Sequence, residues 1–218
     1  MTLLPLFTAL VAGFAHALEP DHMAAVTTFV SRRPRPLEAL GFGVRWGLGH
    51  SAAILAVGVV LILLDVHVPE GLARGLEFGV GGLLAGLGLW LLWSLLHGRA
   101  HALAGGGHVH PHGADGHHDR GASAWVGVAH GLAGTAPLIA LLPVALSSSP
   151  WIAGGYLLFF GVGTTLAMGV YALLAGALFQ QAGHRFPGLA GALRVATALG
   201  SVALGIAWMY GAAAGGAA

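Results

Sequence analysis

The sequence of 218 residues contains no cysteine and no lysine, and only 8% of its residues are charged. Without cysteine there can be no disulfide framework, no thiolate nucleophile and no cysteine-based zinc site. A soluble domain carries roughly 25% charged residues, so the scarcity of charge argues against one. The net charge of +1 and the lack of a basic block give no indication of nucleic-acid binding.

Apolar residues and histidine are what the chain has in abundance. Hydrophobic residues make up 56% of the chain, the mean hydropathy is +0.82, and 13 histidines exceed the 9 arginines. This composition predicts an all-α polytopic membrane protein. A metal ion must be held by imidazole, carboxylate, carbonyl or thioether groups, which disfavours Cu(I) and suits Ni, Co, Zn or Mn.

Six apolar stretches exceed the roughly 20 residues that a helix needs to cross a bilayer. They cover residues 3–30, 37–64, 72–97, 124–146, 151–179 and 188–213. The first has no Lys or Arg before it and is interpreted as a retained helix rather than a signal peptide. Because arginines collect in alternate loops, we expect both termini outside, the loop 98–122 in the cytoplasm, and the chain in the plasma membrane.

The two halves of the chain match weakly at a constant offset. The offset is 114 residues over the first two helices, where His16 matches His130 and His50 matches Thr164. It is 117 residues over the third helix, where Leu87 matches Leu204. The matches follow one another in order, which favours an internal repeat.

A repeat of three helices has an odd number of spans, so its second copy must be inverted. The sequence therefore predicts six transmembrane helices as a 3+3 inverted repeat, with residues 1–97 and 123–218 as the copies and 98–122 as the loop between them. This plan is typical of secondary transporters, which bind their substrate near the bilayer midplane. No nucleotide-binding motif occurs, which favours transport driven by a gradient, the membrane potential or a partner.

The first stretch contains the motif His16-Ala-Leu-Glu19-Pro20-Asp21-His22, or H-x4-D-H. On a straight helix Asp21 and His22 would lie about 140° and about 240° around the axis from His16. Pro20 cannot donate to the carbonyl of residue 16, so we expect a kink that frees this carbonyl. Ionisable groups at this depth are costly and indicate function, although an interfacial loop after a short helix would hold them too.

The second stretch contributes His50, which lies between Gly49 and Ser51. Three imidazoles and one carboxylate suit a borderline divalent ion, so the predicted metal ligands are His16, Asp21, His22 and His50. Further side chains are expected to line the ion pathway or support the ligands, and these are Glu19, Ser51, His130, Thr135, Thr164 and Thr165. For the three threonines, helix packing is the favoured role. Arg45 could pair with Glu38 or Glu19, or stabilise an anion; the sequence leaves this open.

Seven of the 13 histidines lie in or beside the central loop. Together with Gly, Ala and Asp they form a low-complexity segment of metal-binding character, although a simple polar linker has the same composition. The histidines expected to capture metal there are His97, His101, His108, His110, His112, His117 and His118.

H-x4-D-H followed by Gly-His-Ser in the next helix resembles the nickel/cobalt transporter family, in the form of its short, urease-associated nickel permeases. The resemblance is specific over residues 14–55 and loose over both halves. It implies metal recognition by His16, Asp21, His22 and His50, with Ni²⁺ or Co²⁺ as transported substrate, no permanently bound cofactor, and a cytoplasmic metallochaperone as a partner.

Three other functions remain open at this stage. The His-rich loop also resembles nickel/cobalt efflux proteins, although Asp21 favours uptake. Three histidines and an aspartate could instead hold a catalytic metal in an intramembrane hydrolase, with Glu19 as general base. An anion exporter that uses Arg45 is the weakest alternative, because it leaves the histidines unexplained. The oligomeric state cannot be inferred.

Overall fold

The computed structural model describes residues 3–32, 34–64, 69–103, 118–133 and 150–215, and within them the chain is entirely helical apart from short connections. The seven helices of these segments are α1 (Leu3–Ala17), α2 (Pro20–Val30), α3 (Pro36–Leu64), α4 (Glu70–Leu103), α5 (His118–Ala133), α6 (Pro150–Arg185) and α7 (Pro187–Ala214). The chain is therefore a polytopic helical membrane protein.

Four of these helices, α3, α4, α6 and α7, are long and apolar enough to cross a membrane, and the bent pair α1–α2 adds a fifth candidate span. Large apolar side chains face outward along them, as the lipid-facing surface of such a protein requires. The fourth predicted stretch, 124–146, lies within the described residues only as far as Ala133. Helix α4 continues to Leu103 and α5 begins at His118, so both extend into the segment predicted as a loop.

The first predicted stretch is broken between Ala17 and Pro20, and its two helices meet at an angle of 59°. Pro20 occupies the first turn of α2, where its missing N–H costs nothing. The break was predicted, but the prediction that the His16 carbonyl is left free was wrong. The N–H of Glu19 donates to the His16 carbonyl at 3.0 Å. A tighter i→i+3 turn satisfies the group that the proline leaves unpaired.

Helices α1, α3, α5 and α6 pack closely enough that a Cβ on certain glycines would overlap a backbone carbonyl oxygen of the neighbouring helix. These approaches come in reciprocal pairs whose members are 114 residues apart. The contact of Gly13 with the Phe160 carbonyl is paired with that of Gly127 with the Trp46 carbonyl. The contact of Gly163 with the Leu10 carbonyl is paired with that of Gly49 with the Ala124 carbonyl. Small residues allow this approach, and close backbone packing holds membrane helices together.

Helices α4 and α7 pack against each other in the same manner. Gly88 abuts the Ala198 carbonyl and Gly205 abuts the Gly81 carbonyl, and the hydroxyl of Ser201 donates to the Leu84 carbonyl at 2.9 Å. Helix α2 joins this pair to the other helices through Ala25, which is buried with Val80 and Leu84.

Candidate metal centre

Five buried or part-buried ionisable side chains converge where α1 and α2 meet. His16 lies in the last turn of α1, and Asp21 and His22 lie in the first turn of α2. His50 comes from the middle of α3 and His130 from the last turn of α5. The 59° break lets α1 and α2 aim their side chains at one region, which a straight helix could not do.

His16, His22 and His50 form the first group of donors. One ligand atom from each lies within 4.8 Å of the other two. Nε2 of His16 is 3.3 Å from Nε2 of His50, so one of these nitrogens carries the hydrogen between them. The three residues are 8%, 1% and 0% exposed. Three imidazoles at this separation can bind one divalent ion.

Two carboxylates orient two of these rings. Nδ1 of His16 lies 3.0 Å from Oε1 of Glu19, and Nδ1 of His22 lies 3.1 Å from Oδ1 of Asp21. A ring that donates Nδ1–H to a carboxylate leaves Nε2 with the lone pair that a metal needs. The two negative charges also balance a divalent cation, which lowers the cost of placing it among buried groups.

His130 belongs to a second group of donors with Asp21 and His22. Nε2 of His130 lies 3.1 Å from Oδ2 of Asp21, and one ligand atom from each residue lies within 4.8 Å of the other two. His130 is 1% exposed. The sequence pointed to it only as the repeat counterpart of His16; the contact with Asp21 depends on how α5 packs against α3.

Two aromatic side chains enclose the imidazoles, and neither was assigned a role from the sequence. Trp46 is fully buried, stacks on His50 with ring centroids 5.0 Å apart, and presents its ring at 89° to His22. Phe160 packs against His16 at 5.4 Å. The available signal was spacing, because Trp46 lies one helical turn before His50 and therefore on the same face. The two rings cover the imidazoles on these sides.

The other polar residues expected along the pathway make hydrogen bonds between helices. The hydroxyl of Ser51 donates to the Gly161 carbonyl at 3.0 Å and lies 3.4 Å from the hydroxyl of Thr165. The hydroxyl of Thr164 lies 3.1 Å from the carbonyl oxygen of Gly13. Thr135 lies outside the described residues.

Arg45 contacts neither carboxylate considered for it. Its Nε donates to the hydroxyl of Ser123 at 3.1 Å. Glu38 instead pairs with Arg35 at 2.8 Å, and Glu19 pairs with His16. Glu38 at the start of α3 and Glu19 at the helix break each have a nearer partner. Arg45 points towards Ser123 on α5.

Most of the histidines expected to capture metal lie outside the described residues or have side chains that are not described. His97 lies on α4, where its Nδ1 is 2.9 Å from the Trp93 carbonyl oxygen and its ring is 4.4 Å from that of Trp93. His101 and His118 belong to helices by their backbone, but their side chains are not described. His108, His110, His112 and His117 lie outside the described residues.

Comparison with known proteins includes a match over most of the length of both proteins. The chain is 32% identical over 202 residues to the urease accessory protein UreH of Bacillus sp. (strain TB-90), covering 92% of this chain and 88% of that protein. No family model matches the chain, and no solved structure matches it.

Two further relatives match with smaller shares of their own length. The chloroplast protein FOR GROWTH AND FERTILITY 2 of Arabidopsis thaliana is 28% identical over 207 residues, which cover 92% of this chain and 55% of that protein. MJ1092 of Methanocaldococcus jannaschii, named as a candidate nickel/cobalt efflux system, is 32% identical over 104 residues, which cover 46% of this chain and 49% of that protein.

Proposed function

The chain belongs to the nickel/cobalt transporter family, and we propose that it is a secondary transporter that carries Ni²⁺, with Co²⁺ as a second substrate, across the plasma membrane into the cell. The observation that carries the proposal is the group of three buried imidazoles at a helix break, with two carboxylates behind them. Nitrogen and oxygen ligands bind a borderline ion and still release it, as transport requires.

We place the bound ion near the bilayer midplane. His50 is the central residue of α3, the 29-residue helix from Pro36 to Leu64. His16 and His22 flank a break in a candidate span, and broken helices surround the substrate sites of many secondary transporters. Unwound backbone is tolerated at that depth where it lines a polar cavity.

The proposed architecture is six spans in a 3+3 inverted repeat. The reciprocal glycine–carbonyl contacts support it, because equivalent positions meet equivalent positions between α1, α3, α5 and α6. Ser51 and Thr165, which occupy equivalent positions, also meet directly. In this arrangement α5 belongs to the fourth span, and rocking of one copy against the other alternates access to the ion.

We propose uptake rather than efflux because the H-x4-D-H motif with Asp21 resembles that of the uptake permeases. We further propose that the termini face outward and that the His-rich loop captures metal in the cytoplasm, where a metallochaperone receives it. A metal-dependent hydrolase would use Glu19 as general base, but that carboxylate contacts His16 Nδ1.

The test is accumulation of radiolabelled Ni²⁺ by proteoliposomes with an imposed pH gradient or membrane potential of either sign. Proteoliposomes are expected to accumulate more Ni²⁺ than protein-free liposomes, and unlabelled Co²⁺ should compete. The sign of the gradient that drives accumulation identifies the coupling and the direction. Accumulation equal to that of protein-free liposomes under every gradient would contradict the proposal.

Binding of the ion should also quench the fluorescence of Trp46. The indole stacks on His50 and contacts His22, so a paramagnetic Ni²⁺ ion held by these rings lies close enough to quench it. The histidines from His97 to His118 are replaced by alanine for this titration, because His97 lies against Trp93 and Ni²⁺ bound there would quench that indole too. Titrating Ni²⁺ into this purified protein should give a saturable loss of emission that Trp46→Phe removes. Trp151, which is 90% exposed, supplies the matched control, since Trp151→Phe should retain the loss. A saturable loss that survives Trp46→Phe would contradict this placement.

A further inference from the structure

His22 is the residue that the two donor groups share. The first group is His16, His22 and His50, and the second is Asp21, His22 and His130. The ligand atoms of each group lie within 4.8 Å of one another, and neither group contains both His50 and His130. Because the donors separate into two groups, an ion can use one complete group at a time.

We propose that the ion occupies two neighbouring positions in turn, the first bound by His16, His22 and His50 and the second by Asp21, His22 and His130, with His22 passing it between them. This inference rests on the proposed transport function and deepens it. The first position belongs to residues of α1, α2 and α3, and the second adds α5 from the other half of the chain. Movement between the positions thus transfers the ion from one half to the interface of both.

The two nitrogens of His22 suit these two positions. Nδ1 lies 3.1 Å from Asp21 and is the atom on the side of the second group. Nε2 is buried and has no hydrogen-bond partner, which leaves it available to His16 and His50. The ring can serve both positions without turning over, because its nitrogens point in different directions.

The hydrogens balance when the ion moves. With the ion on Nε2, the neutral His22 ring carries its hydrogen on Nδ1, where Asp21 accepts it. With the ion on Nδ1, the hydrogen is carried on Nε2. The two nitrogens of one ring do not contact each other, so the proton leaves Nδ1 to water and Nε2 takes one up from water as the ion moves. His130 likewise releases Nε2 for the ion and carries its hydrogen on Nδ1, a buried nitrogen that also has no partner. Asp21 changes from hydrogen-bond acceptor to ligand. Each ring releases one proton and takes up one through water, so the number of protons on the site is unchanged.

The two positions differ in their access to the exterior of the protein. The first adjoins Glu19, whose side chain is 45% exposed and reaches His16 Nδ1. The second is enclosed, since Asp21, His22 and His130 are 6%, 1% and 1% exposed. An ion entering beside Glu19 therefore reaches the His16 position first and the His130 position after it. The shared ligand and the repulsion between two dications limit the pair to one ion.

The experiment uses Co²⁺ as the probe, because its absorption spectrum reports the number and kind of ligands. Full-length protein and the variants His50→Ala, His130→Ala, His22→Ala and His184→Ala are given substoichiometric Co²⁺ and their affinities are measured by equilibrium dialysis. His184 is exposed on α6 and serves as the matched control. Size-exclusion profiles identify variants that fail to fold, for which His50→Gln and His130→Gln are substituted.

The expected result is two distinct spectra. His50→Ala should keep the position that contains the Asp21 carboxylate, and His130→Ala should keep the position with three nitrogens. Each variant should bind Co²⁺ about 10-fold more weakly than the wild type, and the Co²⁺ affinity of His22→Ala should fall about 100-fold or more. Identical spectra from His50→Ala and His130→Ala, or unchanged binding and transport in His130→Ala, would overturn the two-position proposal. Distinct spectra without Ni²⁺ transport by wild-type proteoliposomes would instead overturn the proposed function and leave the two positions standing.

Discussion

Replacement of His22 by alanine will reduce Ni²⁺ accumulation in cells and proteoliposomes by about 100-fold or more. Loss of a residue that only orients a metal ligand costs about 10- to 100-fold, and His22 is itself a proposed ligand. His22 contributes to both donor groups and is 1% exposed, so no solvent molecule can easily replace its nitrogen. Its loss also leaves the Asp21 carboxylate with one imidazole partner instead of two.

The control for this variant is His184→Ala, which removes an exposed histidine from the last turn of α6. Both proteins must be present in the membrane at wild-type levels, measured by immunoblot or fluorescence of a fused reporter. His184→Ala should accumulate Ni²⁺ as the wild type does. Accumulation by His22→Ala that equals the control would show that the imidazole cluster does not carry the ion.

Alanine at Gly163 will destabilise the protein by about 1–3 kcal/mol, the usual cost of adding a methyl group to a packed contact. A Cβ there would overlap the carbonyl oxygen of Leu10 on α1, and a backbone oxygen cannot move aside as a flexible side chain can. The helices must separate, and His16, farther along α1, would shift away from His50. Thermal unfolding of detergent-solubilised protein measures the first effect, and Ni²⁺ affinity measures the second.

Gly154 provides a matched comparison on the same helix, since a Cβ at that position meets nothing within 4 Å. Gly154→Ala should leave the melting temperature unchanged or raise it slightly, because alanine loses less backbone entropy than glycine. Equal melting temperatures for the two variants would contradict the close α1–α6 contact. Gly49→Ala should repeat the effect of Gly163→Ala, because Gly49 makes the reciprocal contact with Ala124.

Several features of the centre follow from local sequence. Pro20 lacks the N–H that an unbroken helix requires, so the break between α1 and α2 could be predicted, together with the convergence of His16, Asp21 and His22. His50 was predicted because an imidazole in an apolar helix is costly and this one could complete a ligand set with His16, Asp21 and His22. His130 entered only through the offset of 114 residues, which located the side chain without indicating its partner.

Other features depend on packing between distant segments and could not be predicted. The contact of His130 with Asp21 joins residues 109 positions apart. Which nitrogen of each ring is free depends on where Glu19 and Asp21 point, and a sequence does not specify side-chain direction at a break. The stacking of Trp46 on His50 was not predicted, because an aromatic residue in an apolar helix is ordinarily a packing residue. Arg45 was matched to acids by charge, yet Ser123 lies nearer to it.

The central claim is that the buried imidazoles of His16, His22, His50 and His130 are the groups that bind the transported ion. Nickel-edge X-ray absorption of the Ni²⁺-loaded protein tests it most directly, because imidazole rings produce outer-shell scattering that water and carboxylate do not. The account predicts nitrogen and oxygen ligands, with two or three imidazoles that diminish in His22→Ala. A spectrum that contains only oxygen ligands, or one that His22→Ala leaves unchanged, would contradict it.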